Sequence, residues 1–224
     1  MRLRSLLLIA CLCLLPDPGG AVSLHAALMP AIVSPGIPGT LGREPAAGMF
    51  LVASRDLQDP HFSRSVIYLL EHGPHGTTGL IVNRPSGISV ADAIADTRDK
   101  GAATHPLYYG GPVQHSQVIM LMRNATQTRL VQRIVDDIYV SADRKVMNRL
   151  LAENKPGDEL HFYIGHSGWT AGQLARELER DSWHVVEGDS QDIFSVDPGT
   201  LWDRLIEQLE PEGLYVRAGL VNGV

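Results

Sequence analysis

Cysteine is nearly absent: of 224 residues only Cys11 and Cys13 carry a thiol, and both fall within the first 21. If that stretch is removed, structural disulfides, thiolate metal sites and cysteine nucleophiles are all excluded. Positive charge is thinly spread as well. Lysine and arginine never occur more than two in a row, and the net charge is −6. A protein that tracks a phosphate backbone needs a basic face, so direct nucleic-acid binding is not expected. The apolar run from Ser5 to Leu15 has 11 residues, whereas a bilayer-spanning helix needs roughly 20. No transmembrane span is therefore expected after that run is cleaved. The chain is 44% hydrophobic, ordinary for a globular domain. A body of about 190 to 200 residues buries about 70% of its unfolded surface, so no metal, cofactor or disulfide is needed to hold it.

What is present begins with a leader pattern. Met1-Arg2-Leu3-Arg4 is a basic n-region, Ser5 to Leu15 an apolar h-region, and Pro16 to Ala21 a helix-breaking stretch with small residues Gly19 and Ala21 at a cleavage site. Residues 1–21 are read as a secretory signal, which makes the protein exported, periplasmic or envelope-associated. A start codon assigned too early, with Met29 or Met49 nearer the true start, leaves it cytoplasmic. Leu8-Ile9-Ala10-Cys11 also resembles a lipobox, in which Cys11 is acylated. Residues 22–47, rich in proline, glycine and alanine, read as an arm or linker. The domain proper is expected over 48–224.

Short β-type runs follow: Met49 to Ala53, Ser65 to Leu70, Gly79 to Val82, Leu107 to Tyr109, Val118 to Met122, Ile138 to Val140, Leu160 to Ile164, Trp183 to Val186 and Ile193 to Val196. Gly73-Pro74-His75-Gly76 suits a hairpin connection. Helices are expected at Val90 to Ala95 with Ser89 and Asp92 as its capping pair, at Asp143 to Glu153, at Thr170 to Arg180, and from a Thr200 cap to Leu209. Strands cluster and helices intervene irregularly, which is not the alternation of a doubly wound parallel sheet. The pattern implies a single α+β domain with a mixed, largely antiparallel sheet.

Gly165-His166-Ser167-Gly168-Trp169, placed between a strand and a helix, invites comparison with the hydrolase nucleophile elbow G-x-S-x-G. Trp169 stands where that elbow needs a small residue, and His184 is the one histidine downstream. A tight turn capping a helix is the expectation instead. Asp59-Pro60 sets a turn, Phe62 anchors it in the core, and Arg64 can grip a carboxylate or carbonyls. Asn83-Arg84-Pro85 ends a strand; convergence of Arg64 and Arg84 on one cleft would favour an anionic ligand. His72 and His75, with Glu71, form an H-x-x-H across a turn but lack an evident third ligand, so no metal site is assigned. Gly110-Gly111-Pro112 lacks the lysine of a phosphate loop and reads as a strand-ending turn. Trp169, Trp183 and Trp202 are expected in the core.

These blocks together resemble the AlgH/YqgE family. The resemblance rests on Gly48 to Ala53, Leu57 to Tyr68, Glu71-His72, Gly79 to Pro85, Gly110 to Val113 and the Gly165 to Trp183 stretch with its Gly-Trp, Gly-Gln-Leu and Ser-Trp elements. It implies a compact α+β domain with a bifurcated, pseudo-barrel sheet, a regulatory role, and no agreed catalytic activity. It also implies alanine at the position of Ser167 and a short cytosolic chain, from which this N-terminal extension departs. The expected function is a non-catalytic regulatory or binding domain. Its partner is an unknown protein or small anionic ligand, with Arg64, Glu71, His72 and Arg84 as ligand-binding candidates and no catalytic residue or cofactor assigned. The alternative is a weak hydrolase or metal-dependent enzyme using Ser167 or His72 and His75.

Overall fold

A computed structural model describes residues 43–94, 97, 105–194 and 197–211. The leader, most of the 22–47 arm and the Cys11 site lie outside the described residues. The elements in chain order are β1 (Met49–Ala53), β2 (Val66–Gly73), β3 (Gly76–Ile81), β4 (Pro85–Ser89), α1 (Val90–Ala93), β5 (Pro106–Tyr109), β6 (Val113–Arg123), β7 (Gln132–Val135), β8 (Ile138–Ser141), α2 (Arg144–Ala152), β9 (Leu160–Thr170), α3 (Gln173–Leu178), β10 (Trp183–Glu187), α4 (Ser190–Phe194) and α5 (Pro198–Leu209).

The sheet runs β10-β1-β2-β3-β9-β6-β8-β7, with β5 joining β9 and β4 pairing β5. All pairings are antiparallel except β5 with β9. The 11 residues of β9 are the hub. Its first half lies between β6 and β5, and its second half, Ser167 to Thr170, pairs with β3. That division splits the sheet into two leaves. The larger core lies under β1, β2, β3 and α5; the smaller packs Met120, Met122, Leu160 and Phe162 against Val146, Met147, Leu150 and Leu151 of α2. The sheet curls far enough that a Cβ on Gly48, just before β1, would sit 2.6 Å from the Val135 side chain at the end of β7. The result is the largely antiparallel α+β domain that the clustered strands imply, curled into the half-barrel that the family resemblance implies.

Local chemistry explains most boundaries. The Gly73–Gly76 hairpin forms as expected, closed by a Gly73–Gly76 pair. Asp143 caps α2 by accepting from the amides of Lys145 and Val146, and Ser89 caps α1 by accepting from Asp92 N. Three expectations need correction. Ile193 to Val196 does not form a strand: Ile193 and Phe194 end α4, because Asp189 accepts from the Gln191 amide and starts a helix ahead of the apolar run. (Ser195 and Val196 lie outside the described residues.) Thr200 is not the cap of the last helix. Asp197 is, accepting from Gly199 N, with Pro198 at the first helical position, where its missing N–H costs nothing. The third correction concerns the Gly165 segment.

Candidate functional site

Gly165 to Trp169 is not a turn between strand and helix; it lies inside β9, and the helix begins later, behind Gly172. The segment is nonetheless sharply bent. Gly165 adopts φ +68, a left-handed value that glycine takes without strain. A Cβ there would collide with the carbonyl oxygen of Gly111, and one on Gly110 would collide with that of Gly165. The two glycine motifs therefore cross backbone on backbone. Gly110 N donates to Ile164 O at 2.9 Å, Ile81 N donates to Gly110 O at 2.9 Å, and the Ser167 hydroxyl donates to that same oxygen at 3.2 Å. Ser167 is 0% exposed. Its hydroxyl is one bond of the joint where β3, β5, β6 and β9 meet.

Trp169 and Trp183 are buried and meet edge to face at 5.9 Å. Both indole N–H groups donate to one carboxylate oxygen of Glu177 on α3, each at 2.9 Å, while Gln173 donates to the other oxygen. Phe62 packs on both indoles. It is half-buried, so the Asp59 turn is anchored at the edge of the core. Trp202 donates to Ala53 O.

The four ligand-binding candidates do not share a cavity. Arg64 reaches both oxygens of Asp203 on α5 through one nitrogen, at 2.7 and 2.9 Å, with its guanidinium 4.3 Å over the Trp202 ring. Arg84 donates to the carbonyls of His61 and Ser63 at 2.6 and 3.0 Å, and burial lowers its pKa. Asn83 completes the clamp, accepting from Val66 N and donating to Arg64 O. Glu71 and His75 border one cleft, whereas His72 borders another and bonds Thr77 Oγ1 at 2.6 Å. Adjacent strand residues face opposite ways, which separates Glu71 from His72. Among the described residues, no three His, Cys, Asp or Glu side chains are grouped to hold a metal ion, and no helix is long and apolar enough to cross a membrane.

Sequence reasoning missed a different place. Where β8 ends, a cleft of about 690 Å³ opens between residues 115–118 of β6, the start of α2 and the end of α1. Met120, Met147 and Ile164 form its apolar floor; His115, Gln117, Asp143 and Arg144 stand at its rim. Its volume and its mixture of apolar floor and few polar groups are those of ligand pockets. No sequence signal marked it, because residues 113–117 lack strand alternation. His161, also in the interior, stacks on Tyr108 at 4.7 Å, and burial pushes its imidazole down to about 4.

A half-barrel α+β domain, joined by crossed glycine motifs and clamped by two indoles on one carboxylate, defines the class. The chain belongs to the AlgH-like family, which matches residues 50–213. It is 34% identical over 163 residues to a UPF0301 protein of Chlorobium luteolum, covering 72% of this chain and 84% of that one. A UPF0301 protein of Vibrio parahaemolyticus is 32% identical over 180 residues, covering 76% of this chain and 96% of that one. The solution structure of AlgH from Pseudomonas aeruginosa superposes with a TM-score of 0.64 at 26% identity, covering 79% of this chain and 96% of that one. A crystal structure from Corynebacterium diphtheriae gives 0.61 at 26% identity, covering 77% and 92%.

Proposed function

We propose that the domain works by binding and regulation, not by catalysis. The observation that carries this reading is the state of Ser167: fully buried, with its hydroxyl donating to Gly110 O inside a strand. A nucleophile must reach both a base and a substrate, and this hydroxyl faces a carbonyl in the sheet joint. His72 and His75 border separate clefts, which speaks against a shared metal or acid–base role. The cleft beside α2 is the place where a ligand fits. The leader read at residues 1–21 supports an exported or envelope location, in which Val22 becomes the N-terminus.

Two measurements bear on this. Purified protein is assayed on activated carboxylic and phosphate esters, with Ser167→Ala and His72→Ala beside it. Activity that disappears in either variant sinks the binding reading. Intact mass of the native protein from envelope and cytosol fractions tests the location; an uncleaved chain in the cytosol contradicts export.

A further inference from the structure

The curled sheet has two ends, and they meet. Its path starts at β10 and finishes at β7. A Cβ on Gly48 would press on Val135 at the end of β7, and one on Gly188, just past β10, would collide with the Gly48 carbonyl oxygen. Ser190 closes the same seam, donating to Asp137 in the β7–β8 turn at 3.2 Å. Over the seam lies a cleft of about 530 Å³, with residues 135–138 on one side and 187–190 on the other. Asp136, Asp137, Glu187 and Asp189 line it, and none of its lining residues is positively charged. The cations around it are engaged elsewhere on its rim. Arg123 binds Asp137 at 3.1 Å, Arg43 pairs with Glu187 at 2.8 Å, and Arg133 donates to the Asp136 carbonyl at 2.7 Å. Asp189 accepts from Gln191 N. Among the described residues, none bonds the Asp136 carboxylate.

An acidic rim alone gathers counter-ions and specifies nothing. Beneath this one, however, lies Tyr68 of β2. It is 0% exposed, and its hydroxyl has no hydrogen-bond partner among the described residues. Buried polar groups are almost always paired, so this one calls for a reason. Its ring carbon Cε2, next to the carbon that bears the hydroxyl, is 3.0 Å from the place of a Cβ on Gly188. Burial, then the charges of Asp136 and Asp137, push the phenol pKa up. The hydroxyl is thereby located under the cleft, between Gly188 and the acidic turn, and it stays protonated with oxygen lone pairs to offer.

These groups select the occupant. The carboxylates need positive charge, and the phenol oxygen needs a donor. Among the described residues no three acidic or histidine side chains are grouped to hold a metal ion. A guanidinium is wide and planar, whereas an ammonium is a compact charge with three donors and no acceptor. We propose that the seam cleft binds a primary alkylammonium group, whose N–H donors are shared among the Asp136 carboxylate, a second carboxylate of the rim and the Tyr68 hydroxyl oxygen. The site is separate from the cleft beside α2 and gives the domain a cationic class of ligand. A free aliphatic amine and a lysine side chain of another protein carry the same head group.

The test titrates the full chain, isotope-labelled at the hydroxyl-bearing carbon of tyrosine, with putrescine and with the peptide acetyl-Gly-Lys-Gly-amide, read by NMR. The expected result is saturable binding at a Kd of about 1 mM or tighter that moves the Tyr68 signal, identified by its absence from Tyr68→Phe. The tighter of the two probes tells which source supplies the head group. Asp136→Asn weakens binding at least about tenfold, the loss of one charge-assisted bond. Asparagine tolerates the left-handed backbone at this position, φ +42. Tyr68→Phe weakens binding about threefold yet leaves the free protein at least as stable, because the hydroxyl it removes has no partner; a merely structural tyrosine would give the reverse. Tetramethylammonium, a cation without N–H donors, binds at least about tenfold more weakly. That comparison and Asp136→Asn stand whether or not Tyr68→Phe folds. The proposal is overturned if tetramethylammonium binds equally well, if calcium takes the site more tightly than either amine, if the Tyr68 signal does not move, or if neither amine binds below about 10 mM.

Discussion

Single residues in this domain are shared between motifs that lie far apart in sequence. Gly165 at φ +68 and Gly110 exclude any side chain because each faces the other's strand. Gly165→Ala should cost more than about 2 kcal/mol, from left-handed strain plus a backbone collision that has no flexible end to yield; chemical denaturation would reveal it, and a loss under 1 kcal/mol would remove the crossing from the account. His161 is held neutral in the core, its pKa pushed down to about 4 by burial. The unfolded chain takes up this proton near pH 6.5 and the folded one only near 4. The resulting stability is fully present above the unfolded value, is lost as pH falls between the two, and amounts to about 3 kcal/mol. Comparing His161→Phe with the parent from pH 7.5 to 4 isolates this contribution from that of the carboxylates. The gap between the two stability curves should change by that amount, and parallel curves would contradict the burial argument.

At the level of elements, α3 is tied to the sheet through one side chain. Glu177 accepts from both indoles at 2.9 Å, so Glu177→Ala strands two buried N–H groups. The expected loss is about 2–3 kcal/mol, or a melting temperature lower by roughly 5–10 °C, and Glu177→Gln should recover part of it. An unchanged Tm would mean that water replaces the carboxylate. This is also the scale at which the sequence was legible and then failed. The β1 run, the Gly73–Gly76 hairpin, the helix starting near Asp143 and the three buried tryptophans follow from apolar character, turn chemistry and residue type. Pro85–Ser89 was not readable as β4 because its residues favour turns; pairing with β5 makes it a strand. The α4 helix was hidden by the β-branched Ile193, while the Asp189 cap that starts it stands outside the apolar run. Arg64 and Arg84 were chosen for their charge, and their charge is real. Asp203 and the carbonyls of the Asp59 loop bind them, and such partners 20 to 140 residues away leave no local signature.

For the whole molecule, the family blocks gather mainly at the joint and the clamp, which hold the two leaves of the half-barrel together. The cleft beside α2 lies away from them, where β8 leaves the sheet. A fold can host many activities on one scaffold, so membership of the AlgH-like family describes the scaffold and leaves chemistry to the sites. The claim that β9 carries a structural joint in place of a nucleophile is tested most directly by fluorophosphonate labelling of the folded protein followed by intact-mass and peptide analysis. The geometry predicts no adduct at Ser167 under native conditions. A stoichiometric adduct on Ser167, absent from Ser167→Ala, would contradict it.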